Sequence, residues 1–271
     1  MGTTNSTMKS GAKLNPDDDD VGTLSIQVIL VNTETAVSND DKATTKLKEW
    51  MDNSLFPKLP CISANDWSMH NGKYENSELS AANLEKDILR FVQVKDRYSA
   101  LSSLLLKRWV FFQATCHLDL DDPAICPSSF PLVELPRTRH KKPYIPSLTT
   151  QSTNQTIANH NDEWFPFSIS HQYPFVGLAH AAPKSFRLGA LLLGVDIVVF
   201  DPYNPRLYQN VSEFVHVFLG SFASSEQAIL RNLMKRVETD PDREPHLLRE
   251  VYLMWSVKEA YTKALGLGLG F

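Results

Sequence analysis

Between Ala190 and Phe200 the chain reads ALLLGVDIVVF, an apolar, β-branched run with one carboxylate, Asp196, inside it. The run is too short for a bilayer, which needs about 20 apolar residues. Its composition predicts a strand buried on both faces, and such strands need helices to cover them. The flanks supply those helices. SSEQAILRNLMKRVE puts Ile229, Leu230, Leu233, Met234 and Val237 on one face, with Ser224 or Ser225 as the cap. EPHLLREVYLMWSVKEAYTKALG predicts a second long helix, with Pro245 in its first turn and Gly266 as its stop. Upstream, Thr23–Val31, Phe165–Ser170 and Tyr173–Ala179 alternate as strands. Tyr98, Leu101, Leu104 and Leu105 recur at helical spacing after Asp96, the expected N-cap, and a short helix is expected around Lys46–Met51. The fold class is therefore mixed, α/β or α+β.

Residues 1–22 are polar and end in the acidic run Asp17–Asp20, too little apolar surface to order them. The stretches near 38–83 and 146–163 are polar or turn-rich and read as insertions, and the seam between two α/β units falls near 181–189. A net charge of −4, from 27 basic and 31 acidic residues, excludes a dedicated nucleic-acid binder. Cys61, Cys116 and Cys126 follow no metal-ligand spacing, which suits a reducing compartment. No apolar core follows the first basic residues, so no secretory signal is expected and the chain is placed in the cytoplasm.

Four segments could carry chemistry. Glu259 and Lys263 lie four apart and share one helix face, with Trp255 a turn earlier. They are either a solvent-exposed ion pair or part of a site, and the apolar residues around them favour burial. Asp196 inside its apolar run must be paired, must cap a turn or must bind a metal. A strand carboxylate beside a helix carboxylate would suit Mg²⁺, with phosphate oxygens and water completing the octahedron. Ser170 and His171 end the FSISHQ strand, where a satisfied structural histidine is the alternative. Arg137, Arg139, Lys141 and Lys142 in LPRTRHKKPY form a cationic patch, either a solvated loop or a cradle for phosphates. The GLGLG run at Gly266, Gly268 and Gly270 follows a helix instead of a strand, so it is no dinucleotide fingerprint.

Taken in order, these segments resemble the larger, pseudo-dimeric 4′-phosphopantetheinyl transferases, and most closely the eukaryotic members that serve aminoadipate reductase and fatty-acid synthase. Gly194-Val195-Asp196 is similar to the family's G-[IV]-D strand. Trp255, Lys258, Glu259, Ala260 and Lys263 match its W-x-x-K-E-[AS]-x-x-K helix. FSISHQ resembles its F-N-x-S-H motif, RTRHKKP its basic segment ending in G-K-P, and Arg90–Arg108 its N-terminal helix. The resemblance implies two similar α/β halves with pseudo-twofold symmetry, 23–182 and 190–271. It further implies transfer of the phosphopantetheine arm of coenzyme A to a serine of an apo acyl or peptidyl carrier domain, releasing adenosine 3′,5′-bisphosphate. Carriers of fatty-acid, polyketide and nonribosomal synthases and of aminoadipate reductase are the implied partners of a monomer that binds neither nucleic acid nor membrane. Asp196 and Glu259 would ligate Mg²⁺, Glu259 or a metal-held water would take the serine proton, and Lys263 would offset charge on the pyrophosphate. Ser170 and His171 would bind phosphate oxygens, Lys258 would be a further coenzyme-binding residue, and Lys95, Arg137 and Lys142 would hold the nucleotide's 3′-phosphate end. Val198 stands where many bacterial relatives carry a second carboxylate, which points to the eukaryotic subgroup. Lys141 stands in place of the glycine of G-K-P. Relatives continue through further strands after the signature helix, so the second half is expected to be incomplete at Phe271. A degenerate relative that grips coenzyme A or a carrier without turnover is the alternative. An unrelated phosphohydrolase would need a water-activating cluster that the sequence does not show.

Overall fold

A computed structural model describes residues 26–34, 47–49, 51–55, 59–64, 76–116, 130–145, 165–181, 192–200 and 203–267. The expected tail 1–22, the insertion 146–163, the linker 182–189 and Cys126 lie outside the described residues, as does the end at 268–271.

Strands β1 (Ile26–Asn32), β4 (Phe167–Gln172) and β5 (Phe175–Ala181) form an antiparallel sheet of order β1-β5-β4. Period-2 alternation sorts its two faces. Ile29, Val31, Ile169, Val176 and Leu178 face helix α2 (Val94–Cys116) and pack on its Val110 and Phe111. Ser168, Ser170 and Gln172 face the other way, in register with Gly177 of β5 and Leu30 of β1. Helix α1 (Glu78–Leu89) is capped by Ser77, whose Oγ accepts from the Ser80 amide at 3.1 Å. It buries Leu84 and Ile88 against Leu101 and Leu104 of α2. A parallel pair, β2 (Cys61–Ser63) with β3 (Leu132–Glu134), flanks these helices. The expected short helix near Lys46–Met51 is present as α-helical residues 47–49, and a π-helical turn spans Met51–Leu55. Asp96 lies inside the first turn of α2, not at its cap, and there its charge still suits the helix N-terminus.

A second group of helices has its own core. Helix α3 (Val211–Leu219) is capped by Asn210, and α4 (Ser224–Thr239) and α5 (Glu244–Leu265) follow. Val215, Leu230, Met234, Leu247 and Val251 pack together between them. Pro245 begins α5, and Gly266, at φ 72°, ends it in the left-handed conformation that glycine tolerates. Ala223 occupies the α4 cap position expected for a serine, and Glu226 Oε2 accepts from its amide at 2.6 Å. Among the described residues no helix is long and apolar enough to cross a membrane.

The expected buried strand at Ala190–Phe200 is corrected. Residues 192–200 form no backbone ladder with any described strand. Instead the amides of Val195, Ile197 and Val199 donate to Ser168 Oγ (3.0 Å), Ser170 Oγ (3.3 Å) and Gln172 Oε1 (2.9 Å). The two-residue period on both sides makes this an extended segment laid over the polar face of the sheet, parallel to β4. Side chains stand in for the carbonyls of a neighbouring strand and satisfy the amides. Both ends of the segment are open to solvent, with Leu192 52% and Phe200 55% exposed.

Candidate active site

Asp196 sits midway along this segment, and Gly194 explains how it reaches helix α5. A Cβ on Gly194 would overlap the Ala260 carbonyl oxygen and lie 2.8 Å from both Ala260 C and Ala264 N. Only a residue without a side chain lets the segment touch the helix backbone. The approach brings Asp196 against Lys263, whose Nζ donates to Asp196 Oδ1 at 2.5 Å and to Ser170 Oγ at 2.8 Å. Ser170 Oγ in turn donates to Asp196 Oδ1 at 2.8 Å. The Asp196 side chain is only 9% exposed, while that of Lys263 keeps 30% of its surface open to solvent.

Of the alternatives for Asp196, the structure shows the lysine pair, and that lysine is Lys263. Glu259 lies one turn earlier on the same face and lines the same cavity of about 320 Å³, with Ser170, His171, Tyr252 and Trp255. Burial raises the Glu259 carboxyl above the usual carboxylate range, Lys263 pulls it back, and the Asp196 charge raises it again. The His171 imidazole is held below its ordinary value, first by lost hydration and then by Lys263. It is therefore a neutral ring near pH 7, able to donate from one nitrogen and accept at the other.

Among the described residues no three histidine, cysteine or carboxylate side chains are placed to hold one metal ion, so a closed zinc site does not fit. Two carboxylates on one cavity wall do fit Mg²⁺, which takes one or two protein oxygens and fills its shell with water and phosphate. The Lys263 ammonium on Asp196 Oδ1 already marks that oxygen as a cation position.

The basic segment is a tight hairpin. Arg137 pairs with Pro143 in a β-bridge, the Thr138 amide donates to Lys142 O (2.8 Å), the Lys142 amide donates to Thr138 Oγ1 (3.2 Å), and Lys141 between them has φ 66°. A lysine thus occupies the left-handed position at which the resembled motif carries glycine. Arg137 points to Asp87 at 2.5 Å and lines a second cavity, of about 400 Å³, that shares Ser170, His171 and Lys263 with the first. Lys142 reaches across from this hairpin. Its Nζ donates to Ala264 O (3.0 Å) and Leu193 O (3.5 Å), clamping the hairpin to the end of α5 and to the extended segment.

Two expected site residues are not brought to either cavity among the described residues. Lys258, one residue and about 100° round the helix from Glu259, turns to α4 and pairs with Glu226 at 2.8 Å. Lys95 lies over the Tyr173 ring, 5.7 Å from its centroid. In their place stand Arg90 and Lys107, which the sequence reading did not select.

Comparison with known families falls on this half of the site. Residues 192–271 match the family model of the 4′-phosphopantetheinyl transferase superfamily. The matched stretch holds Asp196, Glu259 and Lys263. Curated relatives agree with it over a longer span. A phosphopantetheinyl transferase of Thraustochytrium sp. is 28% identical over 76% of this chain and 59% of its own length. 4′-Phosphopantetheinyl transferase A of Aspergillus fumigatus is 26% identical over 67% of this chain and 55% of its own length. A shorter match, to a 4′-phosphopantetheinyl transferase of Paxillus involutus, is 36% identical over 39% of this chain and 37% of that relative. The chain thus spans between half and two thirds of the first two relatives' length.

Proposed function

We propose that the chain acts as a 4′-phosphopantetheinyl transferase, moving the phosphopantetheine arm of coenzyme A to a serine of an apo carrier domain. The observation that carries this is the convergence of Asp196, Glu259 and Lys263 with Ser170 and His171 on the cavities flanking Lys263. In the reaction the serine oxygen attacks the phosphorus attached to pantetheine. A new P–O bond forms, the pyrophosphate bridge breaks, and adenosine 3′,5′-bisphosphate leaves with the bridging oxygen. Glu259, with a pKa raised by burial, is poised to take the serine proton. Lys263, already positioned by Ser170 and Asp196, offsets charge on the departing phosphate. The neutral His171 ring and Ser170 orient phosphate oxygens. Asp196 and Glu259 would hold Mg²⁺, which when bound neutralises and polarises the pyrophosphate.

Finer parts of the reading belong here as well. Val198, two residues after Asp196, supports a protein of the eukaryotic type whose carriers belong to fatty-acid, polyketide or nonribosomal synthases or to aminoadipate reductase. The core of residues 211–251, separate from those within 47–178, supports a second unit, and a pseudo-twofold relation between the two halves is part of the same proposal. A cytoplasmic monomer is likewise part of it. A non-catalytic coenzyme A binder is the second reading, favoured by the Lys263 ammonium lying on Asp196.

The test is the intact mass of an apo-carrier after incubation with the protein, coenzyme A and Mg²⁺. Transfer adds one phosphopantetheine, and Asp196→Ala or Glu259→Gln should reduce the rate to less than a tenth. A carrier left unmodified while coenzyme A binds tightly would establish the binder instead.

A further inference from the structure

Lys263 and a divalent cation make opposing claims on one carboxylate. The Lys263 ammonium donates to Asp196 Oδ1 at 2.5 Å and to Ser170 Oγ at 2.8 Å, and the Ser170 hydroxyl donates to the same Oδ1 at 2.8 Å. Oδ1 thus carries two donors, while Oδ2 has no hydrogen bond or ion pair among the described residues. A dication on either oxygen would stand beside an ammonium. Like charges that close repel, and the 9% exposure of the Asp196 side chain leaves little water to screen them at the carboxylate. Along the wall of that cavity the described residues set two carboxylates, Asp196 and Glu259, against the single ammonium of Lys263. Lys263 favours the charged form of Glu259 and Asp196 opposes it, so the three groups act on one another. With the ammonium in place, much of the attraction that a cation would feel is already cancelled.

The ammonium is able to change acceptors. Its side chain keeps 30% of its surface open and borders cavities on both sides, so the flexible stem can rotate without backbone movement. Ser170 Oγ serves as the pivot, because Lys263 can keep that contact and exchange only Asp196 for another anion. A diphosphate beside Asp196 offers such an anion, with more acceptor oxygens than the carboxylate it replaces. Once the ammonium turns to the diphosphate, Asp196 is released to the cation.

We propose that Lys263 is an exchangeable counter-ion that withholds Asp196 from divalent cations until a diphosphate draws it away, so that cation and coenzyme bind cooperatively. The assignment rests on the transferase reading for the identity of the diphosphate, and the test separates the two. Mn²⁺, whose unbound form is read directly by electron paramagnetic resonance, would be titrated into the full chain with and without coenzyme A. Lys263→Met should bind Mn²⁺ alone at least about tenfold more tightly than the parent, a factor within the usual range for coupled sites. In the parent, coenzyme A should tighten Mn²⁺ binding by at least about tenfold, and Mn²⁺ should tighten coenzyme A binding by the same factor in calorimetry. In Lys263→Met that mutual gain should shrink by at least about threefold, the remainder coming from direct contact between metal and phosphate. Lys263→Arg, which keeps the charge, should follow the parent, and Lys263→Gln serves if the methionine variant fails to fold. Unchanged or weaker binding of Mn²⁺ alone by Lys263→Met would overturn the counter-ion role and leave the transferase reading standing. Tighter Mn²⁺ binding by the variant, in a protein that takes up no coenzyme A, would keep the counter-ion and overturn the transferase reading. No Mn²⁺ binding by parent or variant, with or without coenzyme A, would defeat the counter-ion role.

Discussion

Replacing Gly194 with alanine tests whether the approach of the extended segment to α5 sets the site. The added methyl would overlap the Ala260 carbonyl oxygen and stand 2.8 Å from two further backbone atoms, where ordinary contacts need 3.4 Å or more. Helix backbone cannot move aside as a side-chain tip can, so the segment must retreat by about 1 Å. Overpacking of this kind typically costs about 1–3 kcal/mol. The larger effect falls on geometry, because Asp196 lies two residues on and holds Lys263 at 2.5 Å and Ser170 at 2.8 Å. A 1 Å retreat stretches both bonds beyond the useful hydrogen-bond range, and a displacement of that size costs roughly 10²-fold in rate. Gly220 provides the control. It ends α3 at φ −63° and ψ −20°, and a Cβ there meets nothing within 4 Å. Gly220→Ala should therefore stabilise by about 0.4–1 kcal/mol through the unfolded chain and leave the rate alone. Carrier modification rates and urea midpoints for parent and both variants decide the matter. A Gly194→Ala protein with a rate within threefold of the parent would refute the idea that this contact positions Asp196.

Two other substitutions act on stability. Lys141→Gly should raise the unfolding free energy by about 0.5–1 kcal/mol, because it relieves a left-handed lysine at φ 66°. A urea midpoint lower than the parent's would mean that the turn is not strained. Lys107→Met should stabilise the protein at pH 7 by about 1–3 kcal/mol, since burial lowers this lysine from 10.5 to about 8 and each unit is worth about 1.4 kcal/mol. The folded pKa lies below the unfolded one, so the unfolded chain binds more protons between about pH 8 and 10.5. The parent should gain stability as pH rises through that window, and the variant should not. Equal slopes for the two proteins from pH 8 to 10 would show that Lys107 is not desolvated.

Features with strong periodicity were legible in the sequence. The α4 and α5 helices, the Pro245 start and the Gly266 stop could be read because apolar spacing, proline and glycine all point the same way. Asp196 and the Glu259–Lys263 face could be singled out because charge inside apolar surroundings needs a reason. Helix α1 was not found, since only Ser80, Leu84 and Ile88 are buried in an otherwise polar stretch. Its signal, Ser77 ahead of Leu84 and Ile88, was available but weak. Composition could show that 192–200 is extended, but not that its amides would bond to serine and glutamine side chains instead of a strand. Lys258 entered through the resembled motif, and helix geometry turns it away from Glu259 toward Glu226 of α4. Lys107 was passed over because a lysine on an amphipathic helix reads as its solvent face.

A backbone ladder is indifferent to sequence: almost any residue can occupy it without moving the strand beside it. The contact between β4 and the segment bearing Asp196 is instead written in the side chains of Ser168, Ser170 and Gln172. Mutation can therefore edit it one residue at a time. The position of the Asp196 carboxylate becomes a heritable variable, adjustable through Ser168 and Gln172 without any change to the residues proposed to meet substrate.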